Sequence, residues 1–269
     1  MSAGRPGNVR RWVMLCTFIL MGGAACGDAV TEPAKGSGPA ADLLAEGPRL
    51  QPGSGASPAA SARPIKPVQA ALEVGERGQV LQACAGGGMR FRLPEAGLSH
   101  DFTLELWFRV DEGRDQRVFS SGSLALDVHR GRVRARLGGA SLVGAAVAPR
   151  DWYHVAVVVQ GSVARLYVGG GLVDQTAFRG RWTRPHGEAH VGGVAEDAAA
   201  FCGALDNLRL TAEPLHLDGF LPELDLRVTD STLAGFNFDL DAAPEVQDLS
   251  GLDHHGTLYG RAALTPGRI

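Results

Sequence analysis

The chain has 269 residues, 45% of them apolar and 20% charged, with a formal charge of −3. That length and mixture fit one large folded domain, and 37 glycines suit a chain of many turns. The acidic balance argues against a nucleic-acid partner, which needs a basic patch. Residues 1–25 hold Arg5, Arg10 and Arg11 and no carboxylate, so the remainder of the chain is more acidic still.

Those three arginines precede a short apolar run over residues 12–21, too short to span a bilayer. The small residues Gly22-Gly-Ala-Ala25 come next, and then Cys26. The arrangement reads as an export signal. It resembles a bacterial lipoprotein signal, in which the cysteine is lipidated and becomes the new N-terminus. The resemblance implies removal of residues 1–25, lipid on Cys26, and anchoring in the bacterial cell envelope at the outer membrane. Gly23 stands where that pattern usually has leucine, and ordinary cleavage after Ala25 is the alternative.

Residues 26–70 carry no periodicity. Pro33, Pro39, Pro48, Pro52, Pro58, Pro64 and Pro67 are scattered among Gly, Ala and Ser. Such a stretch buries too little apolar area to offset its ordering entropy, so it is expected to be a disordered tether, with the folded domain at 71–269.

Within the domain, period-2 alternation marks strands packed over a core. Residues 90–93 form a first strand before a Pro94–Gly97 turn. Residues 102–110 form a second, with Phe102, Leu104, Leu106 and Phe108 on one face. Residues 118–121, 124–128, 133–137 and 142–147 come after it, separated by Gly122, Gly131 and neighbouring turn residues. Residues 152–159 and 164–168 come next, and the triple glycine at 169–171 makes a hairpin to Leu172-Val173. Residues 204–210 close the run. No long helix is expected, and many short strands at near-regular spacing suggest a sandwich or jelly roll.

The phrases Phe102-Thr-Leu-Glu-Leu-Trp107, Trp152-Tyr-His-Val-Ala156, Ala164-Arg-Leu-Tyr-Val-Gly-Gly170, Val191-Gly-Gly193 and Gly203-Ala-Leu-Asp-Asn-Leu-Arg-Leu210 resemble, in order, the laminin-G-like (LamG-like) jelly-roll domains of the concanavalin A-like lectin/glucanase fold. The resemblance implies an all-β, two-sheet antiparallel β-sandwich. Leu233-Ala-Gly-Phe-Asn-Phe-Asp239 and Asp248-Leu-Ser-Gly-Leu-Asp-His-His-Gly-Thr-Leu258 match further family phrases that open the domain in many relatives. Here they come last, so residues 232–269 are expected to fold back as closing strands of the same sandwich.

Cys84 and Cys202 remain once Cys16 and Cys26 are assigned to the signal and the anchor. In an exported protein they are most simply a disulfide, and the resemblance implies side-by-side strands for them. Glucanases of this fold use paired acids on one strand. The nearest approach, Glu223-Leu-Asp225-Leu-Arg227, ends in arginine, so no catalytic residue is assigned and the chain is read as a non-enzyme. Calcium is a family cofactor, and Asp206 holds the family's acidic position. His186 and His190 have metal-like spacing, but Pro185 and Gly187 favour a loop, and His154 reads as a polar position at the sandwich rim. Arg181, Trp182 and Arg184 form a loop in which an indole and planar guanidinium donors suit a sugar. The expected function is a binding module for glycans or cell-surface proteins, held at a membrane by its lipid. The competing class is a structural or assembly surface lipoprotein without a soluble ligand.

Overall fold

The computed structural model describes residues 78–94, 100–178, 184–193, 199–239, 241–267 and 269. The signal, Cys26, the tether, Arg181 and Trp182 lie outside them. The described residues form sixteen strands and no helix. They are β1 (Gln79–Ala83), β2 (Gly88–Leu93), β3 (Phe102–Val110), β4 (Gln116–Ser121), β5 (Leu124–His129), β6 (Arg132–Leu137), β7 (Ala140–Ala146), β8 (Trp152–Gln160), β9 (Val163–Val168), β10 (Gly171–Ala177), β11 (Gly187–Val191), β12 (Gly203–Thr211), β13 (Thr232–Phe236), β14 (Glu245–Val246), β15 (Gly256–Tyr259) and β16 (Ala263–Pro266).

Two antiparallel sheets form a sandwich. Sheet A runs β10-β9-β8-β3-β12-β1-β16, with β13 also on β12, and sheet B runs β14-β15-β2-β11-β4-β5-β6-β7. The core lies between them and is supplied by alternate residues of each strand. Leu104, Leu106 and Phe108 of β3 meet Phe91 of β2, Leu126 of β5 and Val133 of β6 in one buried cluster. Residues 232–269 feed both sheets. β13 pairs with β12, β16 with β1, and β15 with β2. Phe236 and Phe238 are fully buried, and the Phe236 ring lies 4.9 Å from that of Phe91.

The central strands of sheet A, β3, β8 and β12, are buried on both faces. Residues 212–231, between β12 and β13, cross its outer side as a strap whose base closes where Ala212 N–H donates to the Ser231 carbonyl at 2.8 Å. Phe220 of this strap packs on Ala156, Val158 and Tyr167. The unbroken apolar run at 155–159 thus has a physical reason, since its odd members face the sandwich core and its even members face the strap. The strap is also tied to the β9–β10 turn, where Phe220 N–H donates to Gly170 O at 3.0 Å. Gly170 has φ +77°, and a Cβ there would sit 1.8 Å from the Phe220 carbonyl oxygen, so only glycine fits.

Two local expectations are corrected. Residues 187–191 are strand β11, not a loop, because they are paired on both sides, by β2 and by β4. The disulfide Cys84–Cys202 is present, with Cα atoms 4.0 Å apart and a sequence separation of 118. The resemblance implied that the strand of Phe91, just after Cys84, lies beside the closing strand that Cys202 begins, but the bond's neighbours are β1 and β12, which pair as far as Ala83 and Gly203. The Phe91 strand is in the opposite sheet.

Candidate functional site

The outer faces of the two sheets differ sharply. On sheet A the strap covers β3, β8 and β12. Thr103 Oγ1 donates to the Glu213 carbonyl at 2.8 Å and accepts from Leu215 N–H at 2.9 Å. Trp107 Nε1–H donates to the Glu223 carbonyl at 2.9 Å. Beneath the strap Glu105 is 5% exposed, and Arg209 Nε donates to its Oε1 at 2.6 Å. His216 Nε2 stands 3.0 Å from Oε2, and His154 Nε2 stands 3.5 Å from it. Burial pushes the Glu105 carboxyl up. The hydrogen bonds to His154 and His216 and the Arg209 charge outweigh it and hold the group well below the usual carboxylate range. Burial dominates at His154 and pushes its imidazole below the ordinary histidine value, although Glu105 pulls the other way.

His154 is therefore not a rim residue. The strap, which has no periodicity to betray it, closes over the middle of the sheet. Glu223, Asp225 and Arg227 belong to that strap rather than to a strand. With Glu105 and Arg209 they line a cavity of about 20 Å³, room for a water and not for a sugar ring. No acid pair here flanks a substrate-sized space.

On sheet B, inward residues make the core and outward residues form the opposite face. Arg90 and Arg92 stand out from β2, Glu188 and His190 from β11, Arg117 and Ser120 from β4, and Asp127 from β5. Arg132, Arg134 and Arg136 stand out from β6. The register aligns Thr257, Arg90, His190, Ser120, Ala125, Arg136 and Ser141 in one row across seven strands. Beside that row, Arg117, Asp127 and Arg134 are cross-strand partners in a second.

The centre of this face is an ion cluster. Asp127 accepts from Arg117 Nε at 2.8 Å, Arg134 Nη2 at 2.9 Å and Arg136 Nε at 2.9 Å. Burial alone raises the Asp127 carboxyl, but the Arg117 hydrogen bond and charge, with Arg134 and Arg136, leave it below its ordinary value. An aromatic ring lies on the same sheet at β15, beside β2 and β11. The ring of Tyr259 lies 6.2 Å from His190 in an edge arrangement, and its hydroxyl donates to the Gly193 carbonyl. His190 Nε2 stands 3.0 Å from Glu188.

Of the residues singled out from sequence, Arg184 is described. Its Nη2 stands 2.6 Å from His100 Nε2. Whether it joins Arg181 and Trp182 falls outside the described residues. Asp206 is buried on the outer face of β12, opposite Trp107 in β3, and its Oδ1 accepts the Asn207 N–H at 2.8 Å. The trio of ligand-type atoms that converges among the described residues is elsewhere, at Cys84, Glu112 and Cys202, and its two sulfurs are bonded to each other. Asp248 is saturated by Gly235, Ser250 and His254 N–H groups and the Ser250 hydroxyl, which marks it as a turn-building acid.

The arginine face escaped the sequence reading, which used the net charge of −3 to argue against a nucleic-acid partner. Its signal was present in Arg132-Val-Arg-Ala-Arg-Leu137, where strand periodicity puts three guanidinium groups on one face.

Residues 85–218 match the family model Laminin_G_3, described as the concanavalin A-like lectin/glucanases superfamily. A comparison with curated proteins finds no match. Among solved structures, the chain resembles a candidate carbohydrate-binding protein from Bacteroides ovatus ATCC 8483 at 13% identity and TM-score 0.54, over 71% of this chain and 60% of that one. It therefore spans about three-fifths of that protein's length. The heptameric SAP-like pentraxin of Limulus polyphemus aligns at 13% identity and TM-score 0.45, over 68% of this chain and 94% of that one. The CBM40 domain of the Ruminococcus gnavus IT-sialidase, solved with α2,3-sialyllactose, aligns at 15% identity and TM-score 0.43, over 51% and 93%. At these identities what is shared is the fold.

Proposed function

Through residues 85–218 this chain belongs to the concanavalin A-like lectin/glucanase superfamily, and we propose that it is a glycan-binding module whose ligand rests on the outer face of sheet B. The observation that carries this reading is the contrast between the two faces. The centre of the outer side of sheet A is covered by its own strap, which leaves a cavity of about 20 Å³. The outer side of sheet B carries guanidinium, imidazole and hydroxyl groups in aligned rows, with the Tyr259 ring beside His190. Planar donors beside an aromatic ring are what a polyhydroxylated ring requires, with hydrogen bonds at its edge and apolar contact at its face. The Bacteroides neighbour, itself described as a candidate carbohydrate-binding protein, is consistent with that assignment.

The module works as a binder and not as an enzyme in this reading, with lipid on Cys26 and residues 26–70 as a tether holding it off the outer membrane. Diacyl or triacyl anchoring at the cysteine gives stable attachment where one chain would not. Calcium, with Asp206 as the acid the family pattern supplies, is the one cofactor to test. The experiment is a glycan array probed with the full-length chain in calcium and again in chelator. Discrete hits support the module, and loss of those hits in chelator adds the metal. A blank array in both conditions would favour the competing class, an assembly lipoprotein without a soluble ligand.

A further inference from the structure

We propose that residues 63–72 of this chain, Arg63-Pro-Ile-Lys-Pro-Val-Gln-Ala-Ala-Leu72, dock on the outer surface of the strap that crosses sheet A. This surface lies on the opposite side of the sandwich from the sheet B face, so the docking stands apart from glycan binding.

The strap turns only part of its apolar material inward. Phe220 packs on Ala156, Val158 and Tyr167, and Leu226 lies against Gly235 of β13. Leu217, Leu221, Leu224 and Val228 are exposed, Leu221 at 92%. Those four are half of the eight large apolar side chains exposed among the described residues. Leu172 adds to them. It is the cross-strand partner of Tyr167, so it shares the outer face on which Phe220 rests. A cover built only to seal the sheet would bury its leucines, and an exposed apolar row of this kind marks a contact surface.

The charges select the occupant. The strap carries Glu213, Asp218, Glu223, Asp225 and Asp230 against Arg227, which stands 3.6 Å from Glu223. The outer faces of β3, β9 and β12 beneath it add Glu105 and Asp206 against Arg109, Arg165 and Arg209, and Arg109 is itself paired with Asp111. Carboxylates on this side are thus twice as many as guanidinium groups, and the fitting partner is apolar and cationic. Anionic lipid headgroups would be repelled. A two-fold dimer through this surface would set the strap's carboxylates against their own copies. Residues 47–72 hold Arg49, Arg63 and Lys66 and no carboxylate. At their end Arg63 and Lys66 alternate with Ile65, Val68 and Leu72, as the strap's acids alternate with its leucines.

The chain enters the sandwich beside this surface. Leu81 of β1 stands opposite Leu205 of β12, and the register leads back from there toward Asn207, whose Nδ2–H donates to the Leu224 carbonyl of the strap. Adjacent strands lie about 4.8 Å apart, and the six residues from Leu72 to Gly78 reach up to about 20 Å when extended. Leu72 can therefore meet the Leu224–Val228 end of the row. A segment joined by so short a connection is present at an effective concentration on the order of millimolar, so a weak contact is enough to fill the surface. Pro64 and Pro67 restrict the backbone beforehand and lower the ordering cost. The free length of the tether then ends at residue 62.

Carbodiimide crosslinking of the full-length chain is the test, because the chain has only two lysines, Lys35 and Lys66. Within the monomer, Lys66 is expected to join Asp218, Glu223, Asp225 or Asp230, and less often as salt rises. Leu221→Ser with Leu224→Ser should lower the yield of these crosslinks by about tenfold, through loss of apolar contact. Ile65→Ser with Val68→Ser should do the same, and these two residues precede the first strand, so the sandwich stays intact. Crosslinks that either variant leaves unchanged would overturn the proposal. So would Lys66 crosslinks falling mainly on Asp239 and Asp241, next to the chain's entry at Gln79, since proximity of the tether alone produces those. Crosslinks found only between two copies of the chain, or none from Lys66, would overturn it as well.

Discussion

Arg209 of β12 donates to Glu105 of β3 at 2.6 Å beneath the strap, and its other guanidinium nitrogen reaches the Arg227 carbonyl of the strap itself. One side chain thus satisfies a buried carboxylate and holds down the segment that buries it. Removing Arg209 leaves Glu105 with two histidines and an uncovered carbonyl. Arg209→Met is expected to lower stability by about 3 kcal/mol or more, the usual effect of breaking a buried ion pair from one side. The urea midpoint measures it. A variant within error of wild type would mean that the strap is held by its apolar contacts alone.

The same network sets an acid limit. His154 has its pKa lowered in the folded state, so the unfolded chain takes up a proton first as pH falls below the ordinary histidine value of 6.5. Glu105 is also depressed, so unfolding again takes up a proton as pH falls below about 4.5. Both stabilising contributions are present at neutral pH and lost toward acid. Denaturation midpoints should therefore be level above pH 7, fall below about pH 6.5, and fall more steeply below about pH 4.5. His154→Asn should flatten the first decline and leave the second.

The Cys84–Cys202 bond spans 118 residues of sequence. Restricting so long a loop in the unfolded chain stabilises the fold by about 4 kcal/mol in the loop-entropy account. Melting in reductant, and melting of the Cys84→Ser/Cys202→Ser variant, should show matching large drops in Tm. Equal Tm with and without reductant would place the stabilisation elsewhere.

Phe236 joins β13 to both layers, its ring tilted against that of Phe91 of sheet B while its backbone pairs with Leu208 of sheet A. Phe236→Ala should cost about 3 to 4 kcal/mol, as for other fully buried aromatic residues. Ending the chain after Pro222 should be worse. It strips partners from β1, β2 and β12 together, and the exposed edges should drive the protein into aggregates. Solubility of the truncated chain, measured by sedimentation, checks this.

What could be read from sequence was whatever one strand says about its own two faces. The alternation Phe102, Leu104, Leu106, Phe108 names the core side of β3, and the structure buries those residues. The ordered phrases at 102–107, 152–156, 164–170 and 203–210 pointed to the fold family. β11 escaped because Gly187, Glu188 and Ala189 have little strand preference of their own, and the pairing of both neighbours imposes the conformation. His154 was misplaced because the strap over it is aperiodic, and nothing local says that residues 212–231 cross a sheet face. The ion cluster was hidden for a related reason. Arg132, Arg134 and Arg136 share a face by simple period, but the register that brings Asp127 and Arg117 beside them is a property of three paired strands.

The central claim is that ligand rests on the outer face of sheet B, and backbone amide shifts during a saccharide titration test it most directly. With an oligosaccharide identified on the array, the amides of Arg90, Arg117, Arg134, Arg136, His190 and Tyr259 should move together and saturably, while those of the strap at 212–231 stay still. Shifts confined to the strap, or to the loop around Arg184, would contradict the assignment.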